Sequence, residues 1–137
     1  MTRYLLDSNV VLRFLVQDHP VHAKAAIRLF QWAENGEVEL ILTPWIMAEV
    51  AYGLAGIYNV ARGETAKLFN AIVSAVGVVT LDREMLKDAI RRYAAKNVDF
   101  ADALLSAQAV SMKLSPASFD RDLDKFDDVK RYEPQAG

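Results

Sequence analysis

Cysteine is absent from the 137-residue chain. That gap excludes disulfides, thiolate nucleophiles and cysteine-based zinc sites, and it speaks against an oxidising compartment. Histidine is scarce. His19 and His22 form a pair without a third ligand of their kind, so they are read as loop and helix-surface residues rather than as a metal site. Neither sign of charge is in excess: with 16 basic against 18 acidic residues, no global field draws in polyanions, and a nucleic-acid partner would have to be held by local patches or by metal. Arg3 runs directly into a strand-like segment, so no signal peptide is expected and the location expected is cytoplasmic. From Leu40 to Ala61 the only charge is Glu49, but Thr43-Pro44 divides that run and Gly53 and Gly56 weaken it, so no membrane span is expected. Internal repeats, linkers and low-complexity stretches are not found.

What remains is an ordinary globular composition, 53% hydrophobic and 25% charged, expected to form one domain over residues 1–137. Tyr4-Leu5-Leu6 reads as a short buried strand that ends at Asp7-Ser8-Asn9, where a helix continues through Val10 to Val16. Pro20 opens a second helix, which Asn35-Gly36 stops. Val38 to Leu42 is the second strand, and Thr43-Pro44 begins a third helix that runs to about Ile57. Gly63-Glu64 begins a fourth, through Val76, followed by a strand over Gly77 to Leu81. Asp82 caps a fifth helix up to Asn97, and Asp99 precedes a sixth. Leu114 to Phe119 predicts a fourth strand, short or at an edge because of Pro116, and Val129 to Tyr132 a weak fifth. Strands alternating with helices imply an α/β fold with a parallel sheet covered by helices on both faces.

Four carboxylates stand alone in apolar or uncharged surroundings. Asp7 is the only charge between Tyr4 and Leu12, where the first strand ends, the edge at which parallel sheets bind ligands. Glu49 follows the second strand, with Gly53 and Gly56 on its helix face leaving room beside it. Asp102 is the only charge from Phe100 to Met112, and Asp99, three residues earlier, shares its helix face near the positive end of the macrodipole. Asp120 ends the uncharged run Leu114–Phe119. Each has an ordinary structural explanation: Asp7 and Asp99 as helix caps, Glu49 as the partner of a core arginine, Asp120 as a turn residue. If all four reach one sheet edge, neighbouring carboxylates at ~4 Å repel by about 4 kcal/mol per pair at an effective dielectric near 20. Protonation or a divalent cation must relieve that. An all-carboxylate set suits magnesium or manganese rather than zinc, and the chemistry it serves best is phosphodiester hydrolysis.

These residues also carry a family resemblance. Leu5-Leu6-Asp7-Ser8-Asn9-Val10-Val11-Leu12 resembles the opening of a PIN domain. Met47-Ala48-Glu49-Val50 is similar to its second acidic segment and Asp99-Phe100-Ala101-Asp102-Ala103-Leu104-Leu105 to its third. Ser118-Phe119-Asp120-Arg121-Asp122-Leu123-Asp124-Lys125-Phe126 is similar to its fourth. No one motif is specific, but the four in order are, and they cover nearly the whole chain. The resemblance is greatest to the VapC-type ribonuclease toxins of prokaryotic toxin–antitoxin pairs. It implies a three-layer α/β/α fold, a magnesium- or manganese-dependent RNase acting on single-stranded RNA, and a homodimer held by a cognate antitoxin. It also implies Asp7, Glu49, Asp102 and Asp120 as the acidic quartet. Asp7 and Asp102 would be direct metal ligands, Asp120 a ligand to a second metal, and Glu49 a residue acting through metal-bound water or as its base. Asp99 is an additional acid, a cap first and a metal ligand second. Trp45 departs from the small aliphatic more usual at its position.

Other patterns carry less. Asp7-Ser8-Asn9 is similar to the nucleophile loop of haloacid-dehalogenase-type phosphatases, but Asn9 replaces the second Asp and no lysine motif is clearly placed. Asp120-x-Asp122-x-Asp124 fails as a calcium loop, with Lys125 at position six and Arg131 at position twelve. Lys87, Arg91, Arg92 and Lys96 crowd the fifth helix, ordinarily a solvated face. Because that helix leads into Asp99, they are candidates for gripping RNA phosphates. Trp32, Trp45, Tyr52 and Tyr58 read as packing or interface residues before base-stacking platforms. Besides the toxin, two alternatives stay open: a PIN-like nuclease of RNA processing or repair, and a module that binds RNA or protein without cutting. The shortness of the chain favours the toxin.

Overall fold

The first three helices of this chain begin where a side chain can stand in for the missing turn. Thr43 caps α3 (Pro44–Gly56) through its hydroxyl, which accepts from the Ile46 N–H, and Pro44 fills the first helical position. His19 does the same for α2 (Pro20–Glu34): its Nδ1 accepts from the His22 N–H at 3.3 Å, and the two imidazoles stack at 4.2 Å. The histidine pair is therefore a helix cap. Asp7 caps α1 (Ser8–Val16), accepting from the Ser8 N–H at 2.8 Å.

The computed structural model describes residues 1–137, which divide into two compact units, Met1–Arg83 and Glu84–Gly137. The first holds β1 (Thr2–Leu5), α1, α2, β2 (Val38–Ile41), α3, α4 (Arg62–Val73) and β3 (Val78–Val79). Its three strands are all parallel, in the order β1-β2-β3, with Thr2 opposite Val38, Leu5 opposite Ile41, and Leu40 opposite Val78. Every pairing is therefore a crossover, as the alternation of strands and helices predicts. The sheet is the parallel, helix-covered type expected. Phe14 of α1 stacks on Phe30 of α2 at 4.0 Å, and Val11, Leu40, Val50, Leu54, Phe69 and Val73 are buried.

Three expectations need correction here. The first strand is not buried: Thr2 to Leu5 are all exposed and only Leu6 is buried, because β1 pairs on one side alone. Gly53 does not serve Glu49 alone, although the two line one cavity. A Cβ there would press on Leu12 Cδ1 at 3.3 Å, so its smallness lets α1 approach α3. The third strand shrinks to two residues beyond Gly77. Gly77 has φ +84°, and an added Cβ would lie 2.4 Å from the Ala33 carbonyl oxygen, so this turn admits only glycine.

The second unit holds most of α5 (Arg83–Ala95), all of α6 (Phe100–Met112) and a short 3₁₀ helix (Arg121–Lys125). Buried Met85, Leu86, Ala89, Ile90 and Tyr93 make one stripe of α5, and Tyr93 meets Phe100 edge to face at 5.5 Å. The expected fourth and fifth strands reduce to one parallel bridge, Ala117 to Tyr132. It is flanked by the Ser118 N–H to Tyr132 carbonyl bond at 3.0 Å and the Tyr132 N–H to Pro116 carbonyl bond at 2.9 Å. Pro116 has no N–H to extend the ladder. No helix is long and apolar enough to cross a membrane.

Candidate metal centre

Asp102 occupies the first turn of α6, a helix whose next residues, Ala103, Leu104, Ser106 and Ala107, are buried. Asp120 sits at the N-cap of the 3₁₀ helix, where its Oδ1 accepts from the Asp122 N–H at 2.9 Å and its own N–H donates to Ser118 Oγ at 2.9 Å. These two local geometries bring Asp102, Asp120 and Asp122 together, with one ligand atom from each within 4.8 Å of the others.

The electrostatics record the crowding. Burial first, then a hydrogen bond to Asp120 and the charges of Asp120, Asp99 and Asp122, push the Asp102 carboxyl up to about 6. Asp120 moves the other way: the Asp122 N–H, the hydrogen bond with Asp102 and the charges of Lys125 and Arg131 hold it below the usual carboxylate range. Of the two, Asp102 is therefore the carboxyl that takes up a proton first as pH falls. Asp99 stands at the N-cap of α6 but makes no side-chain capping bond. The cap expected of it is not formed, and its charge instead adds to the load on Asp102.

Asp122 was not among the acids picked out of the sequence. Asp122 stands in the fourth acidic segment and in the failed calcium-loop pattern, and neither gives it a role. What the spacing Asp120-x-Asp122 encodes is a side-chain turn, in which the first carboxylate accepts the backbone N–H two residues on.

The remaining acids lie in the first unit. Asp7 is exposed at the end of β1, serving as the α1 cap already described. Glu49 is exposed on α3 and has neither a hydrogen bond nor the arginine partner considered for it. With Ser8, Leu12, Trp45 and Tyr52 it lines a cavity of about 470 Å³. Trp45 and Tyr52 are 67% and 81% exposed, so neither is a packing residue of this chain.

The basic residues of α5, with Lys96 just past its end, divide into two kinds. The Arg92 guanidinium, 11% exposed, pairs with Asp88 at 2.9 Å, forms two hydrogen bonds to Asp128, and lies over the Phe126 ring at 5.4 Å. It ties α5 to the segment after the 3₁₀ helix, and two carboxylates already answer its charge. Arg91 makes one exposed pair with Asp88, while Lys87 and Lys96 have no ion-pair partner. Arg131 is likewise structural: it holds Asp124 in a bidentate pair at 3.0 and 3.1 Å, Glu133 at 2.9 Å and the Ser118 carbonyl at 2.9 Å. That last bond steadies the loop from which Asp120 projects.

A family model described as PIN domain matches residues 4–129. No curated protein matches the chain.

Proposed function

The chain belongs to the PIN domain family, whose members are generally metal-dependent nucleases acting on nucleic acids, and from that premise we propose that it is a magnesium- or manganese-dependent endoribonuclease of single-stranded RNA. The observation that carries this is the Asp102–Asp120–Asp122 cluster, three carboxylates whose ligand atoms gather within 4.8 Å and whose crowding raises the Asp102 carboxyl to about 6. An all-oxygen donor set with unrelieved negative charge fits a hard divalent cation. Asp102, Asp120 and Asp122 would hold the ion. Carried over from the family pattern in the sequence, Asp7 would be a further direct ligand and Glu49 would orient or deprotonate the attacking water. Asp99 would stay outside the ligand set and keep the local field negative. When bound, the ion supplies an activated water and neutralises charge developing on the phosphate.

RNA in single-stranded form is favoured by the two exposed aromatics beside Glu49. Trp45 and Tyr52 offer faces on which unpaired bases stack, at about 1–3 kcal/mol each. Lys87, Arg91 and Lys96 would contact phosphates. The toxin role, the homodimer and a cognate antitoxin are proposed from the resemblance to VapC-type toxins. An antitoxin would inhibit by placing a basic side chain among the carboxylates. One domain over 1–137 is supported by a family match that runs through both compact units.

The test is cleavage of a short unstructured RNA by the purified chain with added Mn²⁺ or Mg²⁺. Asp102→Asn and Asp7→Asn should each lower the rate by about a hundredfold or more. Both should leave the fold intact, since Asn caps α1 as well as Asp does. Cleavage that survives exhaustive chelation, or parent-like rates in both variants, would overturn the assignment. Growth arrest on expression of the parent chain but not of Asp102→Asn tests the toxin role separately.

A further inference from the structure

Lys125 stands three residues beyond Asp122 on the 3₁₀ helix. Its ammonium donates to the Asn97 carbonyl oxygen at 2.8 Å and pairs with Asp122 Oδ1 at 3.0 Å. Asp122 is also one of the three acids whose ligand atoms gather within 4.8 Å. One carboxylate that a divalent ion would use is therefore already held by a cation of the chain's own. Arg131 and Arg92 do not do this: their carboxylate partners, Asp124, Glu133, Asp88 and Asp128, all lie outside the cluster.

We propose that Lys125 is a resident counter-cation of the acidic cluster, which holds Asp122 while no divalent ion is bound and yields it when one binds. This rests on the metal-dependent reading above. An ammonium suits the task because it is a compact charge with three independent donors. It can let go of Asp122 and keep its bond to the Asn97 carbonyl, so the segment leading into α6 stays tethered throughout. The exchange is also inexpensive. The Lys125 and Asp122 side chains are 42% and 43% exposed, so water replaces whichever partner leaves. Without such a charge, Asp122 would add fully to the repulsion already felt by Asp102 and Asp120. A tighter, buried pair would lock Asp122 away from any ion.

The proposal is tested by calorimetric titration of Mn²⁺ alone into the full chain, with thermal melts as a check on folding. Lys125→Gln should bind Mn²⁺ about five-fold more tightly, the equivalent of one exposed ion pair of about 1 kcal/mol. Lys125→Arg, which keeps the charge, should stay close to the parent. In an Asp122→Asn background the gain from Lys125→Gln should vanish. Unchanged or weaker binding by Lys125→Gln would overturn the proposal. So would an equal gain in the Asp122→Asn background, which would reveal only a long-range field. A parent chain that binds no Mn²⁺ would instead sink the metal-centre reading on which the proposal rests.

Discussion

The raised Asp102 carboxyl makes the acidic cluster respond to pH in two opposite ways. Asp102 in the folded chain titrates at about 6, above its ordinary 3.8. In the metal-free protein its contribution to stability is therefore complete below about pH 4 and is lost as pH rises through about 6. Cation binding runs the other way, because the proton must leave before the carboxylate can ligate, so affinity rises through the same interval. Asp120, held low, adds stability above its ordinary range that disappears only as pH falls through its depressed value. Thermal melts in chelator between pH 4.5 and 7.5, set beside Mn²⁺ titrations over that range, should show opposite slopes centred near 6. Asp102→Asn should flatten both. Parallel slopes in the parent would mean that Asp102 does not hold the proton. Much of this was open to sequence reasoning, since Asp102 and Asp120 each stand alone in uncharged runs. Asp122 was not, because its role depends on a backbone N–H that a pattern of acids does not display.

Among the elements, α5 separates charges that look alike in sequence. Lys87, Arg91, Arg92 and Lys96 form one basic run, yet Arg92 is spoken for by Asp88 and Asp128. Asp128 lies far along the chain from Arg92, so no local spacing could have announced the pair. Arg92→Ala should destabilise the fold by about 1–3 kcal/mol, between the values for an exposed and a buried ion pair. Lys87→Ala and Lys96→Ala should leave the melting temperature alone. Each should flatten the salt dependence of RNA affinity by about 0.7 in the log–log slope, the share of one phosphate contact on a single strand. Melts and salt-series binding measurements on the three variants check this, and an unchanged slope in both lysine variants would remove α5 from the RNA surface. Helix boundaries, by contrast, were legible because Thr43-Pro44, Pro20 and Asn35-Gly36 act locally. The strand after Pro116 was not, since strands depend on partners that sequence does not name.

For the whole molecule, charge balance sets the terms of RNA binding. A net charge of -2 offers no general attraction, and an uncompensated acidic cluster repels phosphate locally. With metal chelated, affinity for a short single strand should fall by about tenfold or more, and Mn²⁺ should restore it. Fluorescence anisotropy with Glu49→Gln as the inactive binder, which keeps every proposed metal ligand, measures this, and equal affinity in chelator and in Mn²⁺ would place the RNA away from the carboxylates.

The all-parallel sheet has a kinetic consequence as well. Arg3 and Glu39, opposite one another on β1 and β2, are 36 residues apart in the chain, and β2 reaches β3 across a comparable span. No hairpin is available to start the sheet. Closing a loop of that length costs about 3 kcal/mol plus a constant before any ladder bond forms in return. The helices α1 and α2, stacked through Phe14 and Phe30, have to shorten that loop first. During synthesis the first strand therefore waits, its edge unpaired, until β2 at Val38–Ile41, about halfway through the first unit, has left the ribosome. Loop closure thus favours the order helix pair, then β1 on β2, then β3; refolding and unfolding rates of Phe14→Leu and Phe30→Leu check this, and we expect slower folding rather than faster unfolding.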